Sequence, residues 1–358
     1  MAKKLMKGCE AIAEAAIRAG CKFFFGYPIT PQNDIPEHMA ARLPQIGGCF
    51  LQAESEVAAI NMVYGAAGAG ARVMTSSSSC GISLKMEGIT FIAGAELPCV
   101  IVNMMRGGPG LGSIQASQGD YFQATKGGGH GDYHMIVLAP ASVQEASDIM
   151  QRAFDLADIY RTPVMLLADG IIGQMMEPVE FHEQESKREL PEKLWATTGW
   201  TPDSCRKRAV VNSLYITNEE LDTLNQRLQS RYREIQKNEV TVEEYNTENA
   251  EFILCAYGTI ARICKSAITL LAGEGVKAGL IRPITLWPFP SDTVKKAAEQ
   301  ESVKALLTVE ISSGQMLEDV RLAVNGRKET AFLGRPGSYL PSAEEIAQTV
   351  LRMRRMHS

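Results

Sequence analysis

KFFFGYPITP, at residues 22–31, carries a short apolar run into a polar turn, and this pattern decides the fold because it recurs. CFLQAES (49–55), RVMTSSSS (72–79) and PCVIVNMMR (98–106) also begin with apolar residues and end in hydroxyl, carboxylate or cationic side chains. Segments with helical spacing lie between them, and Gly20 ends the first of these. Strands that alternate with helices predict an α/β fold, with a doubly wound parallel sheet and helices on both faces.

The same alternation continues to residue 169 and then stops. The sequence becomes charged and polar from about residue 181, and we predict a long connection with one solvated helix over about 218–237. Strand-like and helix-like segments resume with FILCAYG (252–258). We therefore predict three parts, namely a first domain over residues 1–185, a connecting segment over 186–248 and a smaller α/β domain over 249–358.

Composition limits the classes of function. The 358 residues are 45% apolar and 22% charged, which is typical of a globular protein, and the net charge of -5 gives no electrostatic reason to expect nucleic acid or an anionic membrane as a partner. Local cations must therefore hold any small acidic substrate. The sequence shows neither an apolar run of signal-peptide length nor a stretch of about 20 apolar residues, so we expect a cytoplasmic protein.

The cysteines are scattered, and no two form a C-x-x-C pair. We predict buried free thiols in a reducing compartment. Iron–sulfur clusters need clustered thiolate ligands, so a redox reaction that uses them would need another chain to carry them. The eight residues are Cys9, Cys21, Cys49, Cys80, Cys99, Cys205, Cys255 and Cys264.

Four of the predicted strands bring chemically useful side chains to one end of the sheet. Ligands of parallel sheets bind beyond the carboxyl ends of the strands, where Thr30, Glu56, the serines of 76–79 and Arg106 should converge. The alternative is purely structural: Thr30 shapes a turn, Glu56 favours a helix N-terminus, the serines form a turn and Arg106 is solvated.

Six segments spread over nearly the whole chain together resemble the 2-oxoacid:ferredoxin oxidoreductase family. They are YPITP (27–31), QAESEVAAINMVYGA (52–66), SSSSCGISLKMEGI (76–89), RGGPGLGS (106–113), SQGDYFQATKGGGHGDY (117–133) and RPITLWPFP (282–290). Within the family the sequence is most similar to the 2-oxoisovalerate (3-methyl-2-oxobutanoate) type, chiefly through residues 107–133. The resemblance implies a pyrimidine-binding domain of thiamine diphosphate enzymes, followed by a domain like the transketolase C-terminal domain.

The resemblance also implies roles for single residues. Glu56 matches the glutamate that bonds N1′ of the cofactor's aminopyrimidine ring, whereas Glu54 is expected to be a polar residue near the helix start. Thr30 and Arg106 match the residues that contact the 2-oxoacid, and the planar guanidinium of arginine suits a carboxylate. The remaining expected cofactor contacts are Tyr27, Pro28, Ile29 and Ser78.

The family's reaction is oxidative decarboxylation of a 2-oxoacid to acyl-CoA and CO2, with electrons passed to ferredoxin. The chain contains no GDG motif for the divalent metal, so we expect a partner subunit to supply Mg2+ and the diphosphate site. The resemblance adds a small gamma-type subunit and a ferredoxin-like subunit with the iron–sulfur clusters. Two alternatives stay open: a non-catalytic scaffold subunit, and a ferredoxin-independent thiamine-dependent decarboxylase subunit.

Other motifs are weaker. The glycines of 107–113 follow the fourth strand instead of the first, which argues against a dinucleotide site, and His130 and His134 are interpreted as loop residues because no metal-ligand set accompanies them. AYGTIAR (256–262) fits either an anion or coenzyme A contact at a helix N-terminus or a tight turn.

RPITLWPFP (282–290) is interpreted first as an interface loop. Trp287 and Phe289 would be its apolar anchors.

Overall fold

The structure, a computed structural model, describes residues 3–182, 188–203, 206–337 and 339–357. Its first part contains the elements β1 (Lys4–Lys7), α1 (Gly8–Arg18), β2 (Phe23–Gly26), α2 (Asp34–Arg42), β3 (Cys49–Gln52), α3 (Glu56–Gly68), β4 (Val73–Ser77), α4 (Cys80–Gly94), β5 (Cys99–Gly107), β6 (Ser113–Ala116), α5 (Tyr121–Thr125), β7 (Ile136–Leu138), α6 (Val143–Tyr160), β8 (Pro163–Asp169), α7 (Gly170–Gln174) and β9 (Met176–Val179).

The second part begins with the predicted solvated helix. Its elements are α8 (Asn218–Asn238), β10 (Val242–Tyr245), β11 (Phe252–Cys255), α9 (Gly258–Gly273), β12 (Ala278–Pro283), β13 (Thr285–Trp287), α10 (Ser291–Glu299), β14 (Ala305–Glu310), α11 (Gln315–Val324), β15 (Glu329–Gly334) and α12 (Ala343–Met356). The predicted helix over 218–237 is confirmed, and a capping box in which Thr217 and Glu220 bond each other's backbone fixes its start.

The first sheet has the strand order β13-β7-β8-β5-β4-β2-β3, with β6 paired to β5. All of its neighbouring strands are parallel except β13 on β7 and β6 on β5. Every residue of β5 and β8 is buried, as expected for parallel strands covered on both faces. The predicted α/β fold is confirmed.

The second sheet has the order β10-β12-β11-β14-β15 and is parallel except for β10. Each sheet includes a strand from outside the domain predicted for it. β10 lies in the segment predicted as a connection but pairs with β12, and β13 lies in the predicted second domain but adds an edge strand to the first sheet. The two domains therefore share strands as well as a connection.

Residues 107–132, which we call the glycine-rich loop, contain two further elements, β6 and α5. β6 turns back along the end of β5 and fixes the loop beside the carboxyl ends of the parallel strands. Among the described residues, no helix combines the length and apolar composition that crossing a membrane requires.

Candidate functional site

Contacts between loops bring all four predicted groups together at one end of the first sheet. The guanidinium of Arg106, near the carboxyl end of β5, donates from Nη1 to the carbonyl oxygen of Thr30, after β2, at 3.0 Å. Ser77, at the end of β4, places its hydroxyl 3.5 Å from Oε1 of Glu56, which follows β3. The predicted convergence of these residues is confirmed.

Glu56 is the first residue of α3 and is only 5% exposed. The helix begins there because the Ser55 side chain caps it, accepting a hydrogen bond from the Ala58 N–H at 3.1 Å. This start turns the Glu56 carboxylate away from solvent and toward β4 and α4. The structural alternative for Glu56, a favourable charge near a helix N-terminus, is also met, but it does not explain the burial.

Gly81 lets the backbone of α4 approach the Glu56 carboxylate. A Cβ atom at this position would lie 2.4 Å from Glu56 Oε1 and 2.1 Å from Ser77 Oγ. Any other residue would therefore displace one of these groups. Only glycine therefore allows the backbone of α4 to pack this closely against the two side chains.

The four serines of 76–79 have different environments. Ser76 donates to Oε1 of Gln32 at 2.5 Å, while the buried Ser78 hydroxyl has no hydrogen-bond partner among the described residues. Buried hydroxyls in native proteins nearly always have a partner, so Ser78 is free to bond a ligand.

Ser79 ties this run to β5 and to the glycine-rich loop. It adopts φ +27°, and its hydroxyl donates to Asp120 at 2.7 Å and accepts from the Arg106 backbone N–H at 3.0 Å. Asn103 also donates to Asp120, at 3.0 Å. Burial raises the pKa of Asp120 although these two donors oppose the shift. Sequence reasoning missed Asn103 and Asp120, because neither lies in the short stretch that follows its strand.

Arg106 is buried, and its remaining donors bond Leu111 O at 2.9 Å and Cys80 Sγ at 3.0 Å. All of its acceptors are neutral, and no carboxylate among the described residues forms an ion pair with it. The guanidinium charge is thus available to an acidic substrate.

The turn that contains the other expected contacts is open. Tyr27, Pro28 and Thr30 are exposed and Ile29 is half-buried. Several exposed apolar side chains belong to the same strands, helices and loops as this turn, Glu56 and Arg106, and we name them the apolar rim: Tyr27, Leu51, Val57, Leu84, Leu111 and Ile114. Exposed large apolar side chains that cluster on a surface mark interaction sites.

The helix N-terminus in AYGTIAR is already occupied by a group of the same chain. Asp169, at the end of β8, accepts from the Thr259 N–H at 2.9 Å and from the Thr259 hydroxyl at 2.7 Å. Gly258 has φ +58°, which favours glycine. The tight-turn alternative therefore describes this segment better than an anion site.

The expectation for residues 282–290 needs correction. Residues 282–283 end β12 and residues 285–287 form β13, and Trp287 is buried within the chain instead of lying on an interface loop. Its ring stacks on His134 at 4.5 Å and meets Tyr232 edge-on at 5.6 Å, while Phe289 packs against the core. Burial lowers the pKa of His134, which is consistent with a packed loop residue.

Seven cysteines lie in the described part of the chain and are free thiols, and Cys205 lies outside it. Cys49 is exposed and Cys80 is half-buried, so the prediction of buried thiols is wrong for these two. Burial raises the pKa of Cys21, Cys99 and Cys255 to about 12, which keeps them protonated. The described residues contain no group of three or more acidic, histidine or cysteine side chains that could hold a metal ion.

Comparisons with known proteins identify the family of the chain. The family of pyruvate flavodoxin/ferredoxin oxidoreductases, thiamine diphosphate-binding, matches residues 14–244, and the pyruvate:ferredoxin oxidoreductase core domain II matches residues 250–346. Ketoisovalerate oxidoreductase subunit VorB of Methanothermobacter thermautotrophicus is 47% identical over 98% of this chain and 97% of its own length. 2-Oxoglutarate synthase subunit KorA of Methanocaldococcus jannaschii is 36% identical over 98% of this chain and 100% of its own.

The fold is also that of a solved enzyme. A 2-oxoglutarate:ferredoxin oxidoreductase from Magnetococcus marinus superposes with a TM-score of 0.84 at 24% identity, over 98% of this chain and 65% of the other. A split-gene transketolase superposes with a TM-score of 0.60 over 97% of both chains. By sequence and by fold, the chain belongs to the pyruvate flavodoxin/ferredoxin oxidoreductase family.

Proposed function

We propose that this chain is the subunit of a thiamine diphosphate-dependent 2-oxoacid:ferredoxin oxidoreductase that holds the cofactor's aminopyrimidine ring. The observation that carries the proposal is the buried Glu56 carboxylate, which lies beside the Ser77 hydroxyl and under the close backbone of Gly81. Family membership makes the chain an oxidoreductase subunit.

Each residue has one task in this proposal. When bound, thiamine diphosphate supplies the nucleophilic carbon that attacks the keto group of the substrate. Glu56 exchanges a proton with pyrimidine N1′, in a pocket from which solvent is excluded. Arg106 pairs with the substrate carboxylate and Thr30 offers its hydroxyl, which together orient the keto carbon. Ser78 bonds the pyrimidine edge, and Tyr27, Pro28 and Ile29 line the approach to it.

We assign 3-methyl-2-oxobutanoate as the preferred substrate, converted with coenzyme A to acyl-CoA and CO2. Two relatives named as ketoisovalerate oxidoreductase subunits are 47% and 48% identical, compared with 36–38% for those named as 2-oxoglutarate synthase subunits. Pyruvate synthase subunits are only 27% identical.

The apolar rim supports a partner that completes the site. Covering its exposed side chains would exclude water from Glu56 and Arg106, and the covering chain would contribute the diphosphate contacts and Mg2+. A small gamma-type subunit and a ferredoxin-like subunit with iron–sulfur clusters complete the proposed complex. Ferredoxin is the proposed acceptor and the cytoplasm the proposed location.

The test is coenzyme A-dependent viologen reduction by the anaerobically assembled complex, with 3-methyl-2-oxobutanoate, 2-oxoglutarate and pyruvate compared. Glu56→Gln should lower turnover by at least about a hundredfold, the scale of a proton-transfer residue. Glu54→Gln is the matched control, because Glu54 is two residues away and exposed.

Each alternative predicts a different result. A scaffold subunit would tolerate Glu56→Gln, and a ferredoxin-independent decarboxylase would release CO2 without reducing viologen. A strong preference for 2-oxoglutarate or pyruvate would overturn the substrate assignment alone.

A further inference from the structure

Lys85 is a fully buried lysine close to the candidate site, and none of the roles described above uses it. It lies in the second turn of α4, within GISLKMEGI, and its side chain is 0% exposed. Lysine is almost never fully buried unless it is paired, because removing an ammonium group from water is costly. Its position therefore needs a physical reason.

The contacts of Lys85 lead directly to Glu56. Its ammonium nitrogen donates to Thr75 Oγ1 on β4 at 3.1 Å. Thr75 and Ser77 are two residues apart on one strand, so their side chains project from the same face. Ser77 is the residue whose hydroxyl lies 3.5 Å from Glu56 Oε1.

The packing of α3 against α4 brings Glu56 and Lys85 to the same helix–helix contact. A Cβ atom on Gly88 would lie 2.4 Å from Cγ2 of Ile60, so α3 and α4 are in close contact one turn beyond Glu56 and Lys85. Glu56 is the charged side chain, among the described residues, that acts electrostatically on Lys85. Burial lowers the pKa of Lys85 to about 8 and Glu56 opposes this shift, so most of the lysine is cationic at neutral pH.

We infer that Lys85 is a positioning residue for Glu56: its buried ammonium group is the counter-charge that stabilises the Glu56 carboxylate after the proton has moved to pyrimidine N1′. This inference rests on the proposed function. The Glu56 O–H bond breaks and the N1′–H bond forms, while Lys85 keeps all three of its protons. Because the pair is buried, no solvent screens the interaction.

The first test needs no cofactor. In the isolated full-length chain, Glu56→Gln leaves a buried cation without its partner, and Lys85→Met leaves a buried carboxylate without its partner. Each single variant should lower Tm by about 3 °C or more, and the double variant should recover at least half of the summed loss. Ile89→Ala, one turn further along α4 and also buried, is the matched control and should show no coupling to Glu56→Gln. Strictly additive losses for Lys85→Met and Glu56→Gln would overturn the inference.

The second test uses the assembled complex and its pH profile. Turnover of the wild-type complex should fall as pH rises through about 8, when Lys85 loses its proton. Lys85→Met should lower turnover at pH 7 by about tenfold or more and remove this limb of the profile, because the variant has no titrating cation to act on the Glu56 carboxylate. Ile89→Ala should keep the limb.

A smaller change covers the case in which Lys85→Met does not fold. Thr75→Val removes only the hydroxyl that orients the ammonium group, and it should reduce turnover while leaving the pH limb in place. Wild-type turnover and a wild-type profile in Lys85→Met would exclude the role. If Glu56→Gln itself remains active, the proposed function fails; if only the Lys85 variants behave as wild type, this inference fails alone.

Discussion

The carboxyl ends of the strands in the two sheets offer similar groups, but the chain uses them differently. In the second sheet, Glu310 is the last residue of β14, and its buried carboxylate accepts hydrogen bonds from the N–H groups of Met316 and Leu317, both at 3.1 Å. The turn after β11 is bonded to Asp169 from the first domain. In the first sheet, Ser78 has no partner among the described residues and Arg106 bonds only neutral acceptors.

The position of the other domain explains this difference. Gln118, from the glycine-rich loop, donates to Tyr257 O at 3.0 Å and accepts from the Ile311 N–H at 2.9 Å, so the loop of the first domain covers the strand ends of the second. No element of the described chain covers the apolar rim around Glu56 in the same way. The strand ends with unpaired groups are therefore the ones that take a ligand, and those with satisfied groups hold the chain together.

The largest expected difference between the two regions comes from substituting one glycine in each, Gly81 beside Glu56 and Gly258 beside Asp169. In Gly81→Ala, the new methyl group would displace Glu56 or Ser77, so turnover of the complex should fall by about a hundredfold or more while the chain stays folded. In Gly258→Ala, a positive φ and a Cβ only 2.8 Å from Asp169 Oδ2 should lower Tm without changing turnover of the folded enzyme. Viologen reduction and thermal unfolding are measured on both. Turnover of Gly81→Ala within about threefold of wild type would contradict the assigned geometry.

The contact between the domains should give the next largest effect. Asp169→Asn keeps one oxygen for the Ile172 N–H and the Thr259 hydroxyl, which both donate to Oδ1, but it places an NH2 group where Oδ2 accepts from the Thr259 N–H, so this buried donor loses its bond. We expect the free energy of unfolding to fall by about 1–3 kcal/mol. Urea unfolding measures this loss, with the exposed Asp203→Asn as control. An unchanged midpoint would show that this bond does not hold the domains together.

The sequence predicted which residues lie together at the strand ends, but it did not predict the buried residues packed behind them. Thr30, Glu56, the serines and Arg106 were predictable because each follows a strand, and the parallel order brings strand ends together. Lys85 was not predictable, because a lysine within a helical segment is normally solvated, and only packing shows that it faces Thr75.

The shared strands were also beyond sequence reasoning. β13 has three residues and joins the first sheet with a register shift between Thr285 and Trp287, so no alternating pattern marks it. Its pairing depends on where the second domain packs. Such long-range contacts leave no local signal in the sequence, which is why Trp287 was mistaken for a residue at an interface with another chain.

Ser78→Ala tests the unpaired group at the site and should have a smaller effect. The hydroxyl has no partner among the described residues, so its removal should leave the unfolding midpoint of the isolated chain unchanged. Cofactor affinity of the assembled complex should fall by about tenfold, the value of one hydrogen bond. Titration with thiamine diphosphate measures the affinity. Ser76→Ala is the control, because Ser76 bonds Gln32 and its removal should affect stability instead. A loss of stability in Ser78→Ala with unchanged affinity would remove Ser78 from the site.

The smallest expected effect is on the pH dependence of stability, at the junction of the two domains. Burial and Lys126 lower the pKa of His134, while the Thr125 backbone and Asp132 act in the opposite direction. Its folded-state pKa is below the unfolded value of 6.5, so the neutral ring stabilises the fold above about pH 6.5, and this contribution is lost as pH falls from there through the lower folded-state pKa.

His134→Phe keeps the stack on Trp287 and removes the titration. Between pH 7.5 and 5.5 the wild-type chain should lose more stability in urea than His134→Phe. The difference should be below about 1 kcal/mol, because solvent partly screens a half-buried ring. An equal loss in both proteins would place the acid sensitivity elsewhere. If the same pH change left turnover of the assembled complex unaffected, the junction and the Glu56 site would be energetically separate, as the comparison of the two regions requires.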